Sequence, residues 1–327
     1  MPGYPDAGVL EVEDAVRLRY AHWRNEHYLG NGTVLLLQGR SEYIEKQYET
    51  ISDLLKLGFD VIAFDWRGHG GSSRVSTNSN IGYVDDFQDY VTDLNAILDQ
   101  ILLPEARAPF SIIAHSTGAL VSLLAGPSLQ NRIERMVFSA PFLGIGKQPI
   151  RPSSVRSLSG LLISIGLGET LMTGRNPQNS AKTVNDSNHT SDEIRFKRNR
   201  QFEAEFPELV VGGASAAWVH AACRAMDVVK DPDFHTETRV PILMITAGKD
   251  IIVDNRETEI LSRQMRAAHL ISIPGCRHEI LQEHDYYRGQ FFSAMASFLP
   301  AGNAKAKTVA TDDQKSPTQP VMSVNAS

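Results

Sequence analysis

The chain has 327 residues, 42% of them hydrophobic and 21% charged, with a formal net charge of -6. That length and balance suit one large domain with an insertion and an ordinary apolar core, while the acidic excess argues against nucleic acid as a partner. Cys223 and Cys276 make neither a disulfide framework nor a metal site, and read as free buried thiols in a reducing compartment.

The opening stretch MPGYPDAGVLEVEDAV lacks a basic segment followed by an apolar one, so no signal peptide is expected. No apolar run reaches membrane-spanning length. The chain therefore reads as soluble and cytoplasmic, and peripheral contact with the inner face of the membrane is left open. Residues Val16, Leu18, Tyr20 and Trp23 alternate, which suggests a leading hairpin of Leu10–Glu13 with Arg17–Trp23. The continuous apolar run Thr33–Leu37 suits a strand covered on both faces. It ends at Gln38-Gly39-Arg40, and a helical pattern follows through Tyr43, Ile44, Tyr48, Ile51, Leu54 and Leu55 to a stop at Gly58.

A second buried strand, Phe59–Phe64, runs into the glycine-rich turn Asp65 to Ser72. This turn has neither the lysine of a P-loop nor the dinucleotide glycine spacing, and reads as a tight strand-end loop. Asp85 to Leu103 is an amphipathic helix with Phe87, Tyr90, Val91, Leu94, Ile97 and Leu98 on its apolar side. Then comes FSIIAHSTGALVSLLA, from Phe110 to Ala125: a short β-branched run, a one-residue apex at Ser116, and an apolar helix. Such a turn lifts a serine Oγ clear of the sheet and is the nucleophile elbow of the α/β-hydrolases, with Ala114 standing where the first glycine of G-x-S-x-G is usual. The N–H of Thr117 would then point at the oxygen of a bound carbonyl.

Another strand, Met136–Phe138, follows. This succession of strands and helices argues for an α/β fold with a mostly parallel central sheet and helices on both faces. Its ligand crevice is expected beyond the carboxyl ends of the strands, shared by the turns at Gly39, Gly68 and Ser116. The rhythm breaks over residues 142–226, read as a cap insertion between core segments 1–141 and 227–299. Leu158 to Leu171 there is apolar and interspersed with glycine, a pattern that fits a lid lining for a lipid and equally a helix packed on the main core. The strands Pro241–Thr246 and His269–Ile273 lead into Gly248-Lys249-Asp250 and Gly275-Cys276-Arg277-His278. A last helix spans Tyr286 to Leu299, and residues 300–327 have too few large apolar side chains to order themselves.

Acyl transfer by a serine needs a base, an acid to orient the base, and donors for the oxyanion. The elbow fold expects the order Ser, Asp or Glu, His, with the last two just past late strands. Ser116, Asp250 and His278 fill that order. Asp254 is an alternative acid. His284 reads as solvated, His115 as structural, His69 as a support of its glycine turn, and Ser72 and Ser73 as turn residues.

The stretch QGRSEYIEKQYETISDLLKLGFDVIAFDWRGHGGSSR at 38–74 resembles the bacterial lysophospholipase L2 and monoacylglycerol lipase family, α/β-hydrolases of the serine aminopeptidase S33 type. The AHSTG elbow, SAPF, GKD, GCRHEI and TSDEIRFKRNRQFEAEFPELVVGGASAAW continue the similarity across most of Val34 to Leu299. The resemblance implies Ser116 as nucleophile, His278 as base, Asp250 as acid, and the N–H groups of Arg40 and Thr117 as the oxyanion hole. Gln38-Gly39 stands where the monoacylglycerol lipases have His-Gly, and Gly-Arg followed by Glu and Tyr is closer to the lysophospholipase branch. The activity implied is hydrolysis of the acyl ester of a single-chain lipid through an acyl-enzyme, with no metal or organic cofactor. Alternatives are a carboxylesterase or lactonase of small soluble esters, and a binding protein on a silent hydrolase scaffold.

Overall fold

A computed structural model describes residues 2–26, 29–147, 152–173, 183–235 and 238–299. The first two strands, β1 (Asp6–Glu11) and β2 (Arg17–Trp23), form the leading hairpin, with Leu10 opposite Leu18 and Glu11 opposite Arg17. β1 starts earlier than its pattern indicates because it is the sheet edge: much of it is exposed, so few apolar residues mark it. β3 (Thr33–Leu37) leads through a 3-10 turn at Ile44–Gln47 into α1 (Tyr48–Lys56), and Gly58, at φ +88°, turns the chain into β4 (Asp60–Phe64).

The next helix, α2 (Phe87–Ile97), is capped by Asp86, whose side chain accepts from the Gln88 N–H, and continues as a π turn to Leu102. β5 (Phe110–His115), α3 (Thr117–Leu124) and β6 (Arg135–Ser139) follow. Between β6 and the late strands lie α4 (Pro152–Ser164), β7 (Leu171–Thr173), α5 (Glu193–Glu205), β8 (Ala214–Ser215) and α6 (Ala216–Lys230). The chain then returns through β9 (Ile242–Ala247), α7 (Asn255–Gln264), β10 (Ala268–Ile273) and α8 (Asp285–Phe298). The tail from residue 300 lies outside the described residues.

Eight strands form one sheet in the order β1-β2-β4-β3-β5-β6-β9-β10. The pairs β1–β2 and β2–β4 are antiparallel, and every later pairing is parallel. Alternate residues of the central strands serve opposite faces, as the two-residue period requires. Leu35, Leu37, Ile62, Phe64, Ile112, Phe138 and Met244 pack beneath α2, α3 and α6. Val34, Leu36, Val61, Ile113, Val137 and Ile245 pack beneath α1 and α8. Both faces are covered, which is why these strands read as unbroken apolar runs. The architecture is the α/β-hydrolase fold, as expected.

Parallel strands place their C-terminal turns along one edge, so the ends of β3, β5, β9 and β10 meet there. In the insertion, α6 is largely buried against the core through Trp218, Ala221, Ala222 and Ala225, and α4 packs on α6. α6 continues past the 226 boundary drawn from the sequence to Lys230. The outward residues Leu158, Leu161, Ile163, Ile165 and Leu167 remain exposed. Among the described residues no helix is long and apolar enough to cross a membrane.

Candidate active site

Ser116 sits between β5 and α3 at φ +49°, ψ -110°, a region in which a side chain is strained. The turn is held from both sides: the Ser116 N–H donates to the Ser139 carbonyl at 3.0 Å, and the Phe142 N–H donates to the Ser116 carbonyl at 3.1 Å. The absence of a side chain at Gly118 lets the β3 end press against the elbow, since a Cβ there would lie 2.7 Å from the Gln38 carbonyl oxygen. This close approach brings Gly39 and Arg40 alongside Ser116.

His278 lies in the turn after β10. Its Nδ1 is 2.6 Å from Asp250 Oδ2, and its Nε2 is 3.1 Å from Ser116 Oγ. An ionised carboxylate can only accept, so Nδ1 carries the proton, and Nε2 is left with a lone pair facing the serine hydroxyl. The second Asp250 oxygen accepts from the N–H groups of Ile252 at 2.8 Å and Val253 at 3.1 Å. Burial alone would raise the Asp250 carboxyl; the hydrogen bond and charge of His278 and these two N–H groups bring it below its ordinary value. The structure thus joins the three expected residues in one hydrogen-bonded chain. Among the described residues nothing accepts from the N–H of Thr117, the first residue of α3, or from that of Arg40.

The alternatives fall elsewhere. Asp254 caps α7, accepting from the Arg256 N–H at 2.9 Å. His284 is exposed and reaches Asp192. His115 donates from Nδ1 to the Ser139 carbonyl at 3.1 Å, with its ring 4.9 Å from that of His278. His69 donates from Nδ1 to the Arg67 carbonyl inside its turn, and burial, with the charges of Arg40 and Arg74, holds it down at about 4. The glycine-rich turn is wired to the Gln38–Arg40 loop and the segment after it rather than to Ser116. Asp65 accepts from the Ile44 and Gly71 N–H groups, and Trp66 Nε1 donates to the Gln38 carbonyl. Among the described residues no cluster of His, Cys, Asp or Glu is placed to hold a metal ion. Cys223 and Cys276 are free and buried.

Two features escape a reading of the sequence. One is support for the loop after β3: Glu42 Oε2 accepts from the Gly39 N–H at 2.7 Å, and Lys46 bridges Glu42 to Glu279, the residue after His278. The three-residue spacing from Gly39 to Glu42 was a local signal that could have found the first contact. The other is a clamp between the insertion and the His278 turn. Arg277 Nη1 donates to the carbonyls of Val184, Ser187 and Thr190, the Glu279 N–H donates to the His189 carbonyl, and Ser191 Oγ donates to Glu283.

Helix α5 extends the clamp to α1. Arg195 and Arg198 each donate to Glu49 at 2.5 Å. Burial alone would raise the Glu49 carboxyl, but these hydrogen bonds bring it down to about 2. A carboxyl whose folded value lies below its free value stabilises the fold fully above the free value, near 4.5, and loses that contribution as pH falls toward 2. The group is half-exposed, so the effect is discounted: Glu49→Gln is expected to lower stability by about 1 kcal/mol near neutral pH, or about 2–4 °C in Tm. Thermal melts of both proteins should converge between pH 4.5 and 2. A gap that stays constant across that range would show that the ion pairs contribute nothing.

The Hydrolase_4 family model, described as serine aminopeptidase, S33, matches residues 30–285. The chain is 29% identical over 285 residues to a probable lysophospholipase L2 of Haemophilus influenzae, covering 87% of this chain and 88% of that protein. It is likewise 29% identical over 312 residues to the lysophospholipase L2 of Escherichia coli, covering 89% and 87%. A soluble variant of the Saccharomyces cerevisiae monoglyceride lipase, solved with a substrate analog, superposes with a TM-score of 0.71 at 21% identity, over 91% of this chain and 94% of that one.

Proposed function

We propose that this chain, which belongs to the serine aminopeptidase S33 family of hydrolases, cleaves the acyl ester of a single-chain lipid through an acyl-enzyme on Ser116. The observation that carries the reading is the continuous hydrogen-bonded chain from Ser116 through His278 to Asp250. In the proposed mechanism His278 Nε2 takes the Ser116 proton as Oγ attacks the ester carbonyl carbon. Asp250 fixes the tautomer and balances the imidazolium charge. The oxyanion is received by the N–H groups of Arg40 and Thr117, both without another acceptor among the described residues. His278 then gives its proton to the departing alcohol. A water, deprotonated by the same nitrogen, attacks the acyl carbonyl and frees the fatty acid and Ser116.

The lipid part of the reading is supported by the relatives named above and by the insertion. Residues 142–226 act in this proposal as a cap, and the exposed apolar residues of α4 and the turn after it suit peripheral contact with a lipid surface. No metal or organic cofactor enters any step.

The test is hydrolysis of p-nitrophenyl esters from acetate to palmitate, with fatty-acid release from lysophosphatidylcholine and monoacylglycerol in neutral vesicles and co-sedimentation of the protein with them. A long-chain optimum with release from the single-chain lipids is the expected outcome. An optimum at acetate or butyrate would move the assignment to small soluble esters. A folded protein that turns over none of them would be a binding protein on the same scaffold.

A further inference from the structure

The side chain of Arg40 is the feature that the reaction as proposed leaves unused. Its backbone belongs to the oxyanion loop, but its guanidinium is folded into the wall between core and insertion. Nη1 donates to the Gly212 carbonyl at 2.7 Å and to Ser41 Oγ at 2.8 Å, and the carbon of the guanidinium lies 5.6 Å from the Trp218 ring centroid. Among the described residues no carboxylate pairs with it. Burial pushes the guanidinium down from its ordinary value, with only the Tyr90 hydroxyl opposing. The residue is only partly buried, so the N–H donors that no protein group takes up are open to a ligand. The arginines that this fold buries most deeply do have carboxylate partners: Arg67 with Asp93, Arg195 with Glu49 and Asp192, Arg288 with Asp53.

The surroundings place this charge beside the chemistry. Trp218, beneath the guanidinium, stacks on Phe142, whose N–H donates to the Ser116 carbonyl. Trp218 Nε1 donates to the Tyr90 hydroxyl, and the His69 ring lies 6.3 Å from that of Tyr90. His69 spends Nδ1–H on the Arg67 carbonyl, which leaves Nε2 as a buried acceptor without a partner. A guanidinium without a carboxylate partner, on the residue next to Gly39 and the elbow, matches a ligand carrying an anion.

We propose that the Arg40 guanidinium receives the phosphate of the substrate's head group, so that the site selects a single-chain glycerophospholipid over an uncharged monoacylglycerol. This rests on the esterase reading above. With the scissile carbonyl oxygen on the Arg40 N–H, the phosphate lies one glycerol unit away, comparable to the reach of the Arg40 side chain from its own backbone. Arginine suits the task, because its fork of donors matches two phosphate oxygens at once.

The test compares kcat/KM for lysophosphatidylcholine and for monoacylglycerol of the same acyl chain, both in mixed micelles of a neutral detergent, in wild type, Arg40→Gln and Arg40→Lys. Fluorophosphonate labelling runs alongside, and both variants keep the backbone N–H. The wild type should favour the phospholipid. Arg40→Gln should lower the preference ratio by about tenfold to hundredfold, the scale of a charge-assisted hydrogen bond, and Arg40→Lys by less. A wild type without preference, whatever the variants do, overturns the proposal. So does an equal loss on both substrates, which would make the side chain a support of the oxyanion loop. Inhibition of p-nitrophenyl ester turnover by inorganic phosphate, with the ratio unmoved in Arg40→Gln, would assign the charge to a free anion instead. A wild type that neither labels nor turns over any ester removes the esterase reading, and this proposal with it.

Discussion

Ser116→Ala is expected to lower kcat on p-nitrophenyl and single-chain lipid esters by about 10⁴–10⁶-fold, because the acyl-enzyme has nowhere to form. Residual turnover should match a site that still offers oxyanion donors and a bound water. The fold should survive the change. The backbone contacts of residue 116, through its N–H to Ser139 and its carbonyl to the Phe142, Ala119 and Leu120 N–H groups, do not depend on the hydroxyl. Circular dichroism melts should therefore place the variant within a few degrees of wild type, a change of about 1 kcal/mol or less. Loss of activity accompanied by loss of the folded state would leave the nucleophile unassigned. Full activity in a folded Ser116→Ala protein would remove Ser116 from the mechanism.

The second large effect is expected at the other end of the hydrogen-bonded chain. In Asp250→Asn the backbone N–H groups of Ile252 and Val253 still find the side-chain carbonyl as their acceptor. The amide NH₂ then faces His278 Nδ1 and can only donate. The imidazole is forced into the tautomer with its proton on Nε2, pointing at Ser116 with nothing to accept the hydroxyl proton. A loss of about 10⁴-fold in kcat is expected, with KM little changed, because the defect lies in proton transfer rather than binding. Activity should recover partly at high pH, where hydroxide replaces the missing base. Loss confined to KM would contradict the role given to Asp250. Asp254→Asn is the matched control: its carboxylate caps α7 at the Arg256 N–H, so a fraction of a kcal/mol to about 1 kcal/mol of stability is at stake and no catalysis.

The parts of the fold legible in the sequence were those set by local pattern. β3, β4 and β5 are covered on both faces and spelled out as apolar runs, and the strand, apex and helix around Ser116 announced a turn whose geometry the structure contains. Asp250 and His278 could be named because each follows a strand that the pattern marks. The choice between Asp250 and Asp254 was also within reach, since Asp254 and Glu257 have the spacing of a helix-capping box. The edge strand β1 was cut short, because exposed positions carry no apolar signal. The clamp of the insertion onto the His278 turn was hidden for a different reason. Arg277 and the Val184 carbonyl that it reaches lie 93 positions apart, and nothing in the charge of the arginine identifies its partners. The unpaired state of Arg40 is of the same kind: the missing carboxylate becomes evident only when everything around the side chain is in place.

The most direct measurement is reaction of the full-length protein with a long-chain fluorophosphonate, followed by peptide mass mapping. The expected result is a single phosphonyl adduct on the peptide containing Ser116, its formation blocked by prior incubation with a single-chain lipid ester and slowed strongly in Asp250→Asn. A folded protein that forms no adduct, or one modified elsewhere while Ser116 stays free, would contradict the account of Ser116 as the nucleophile.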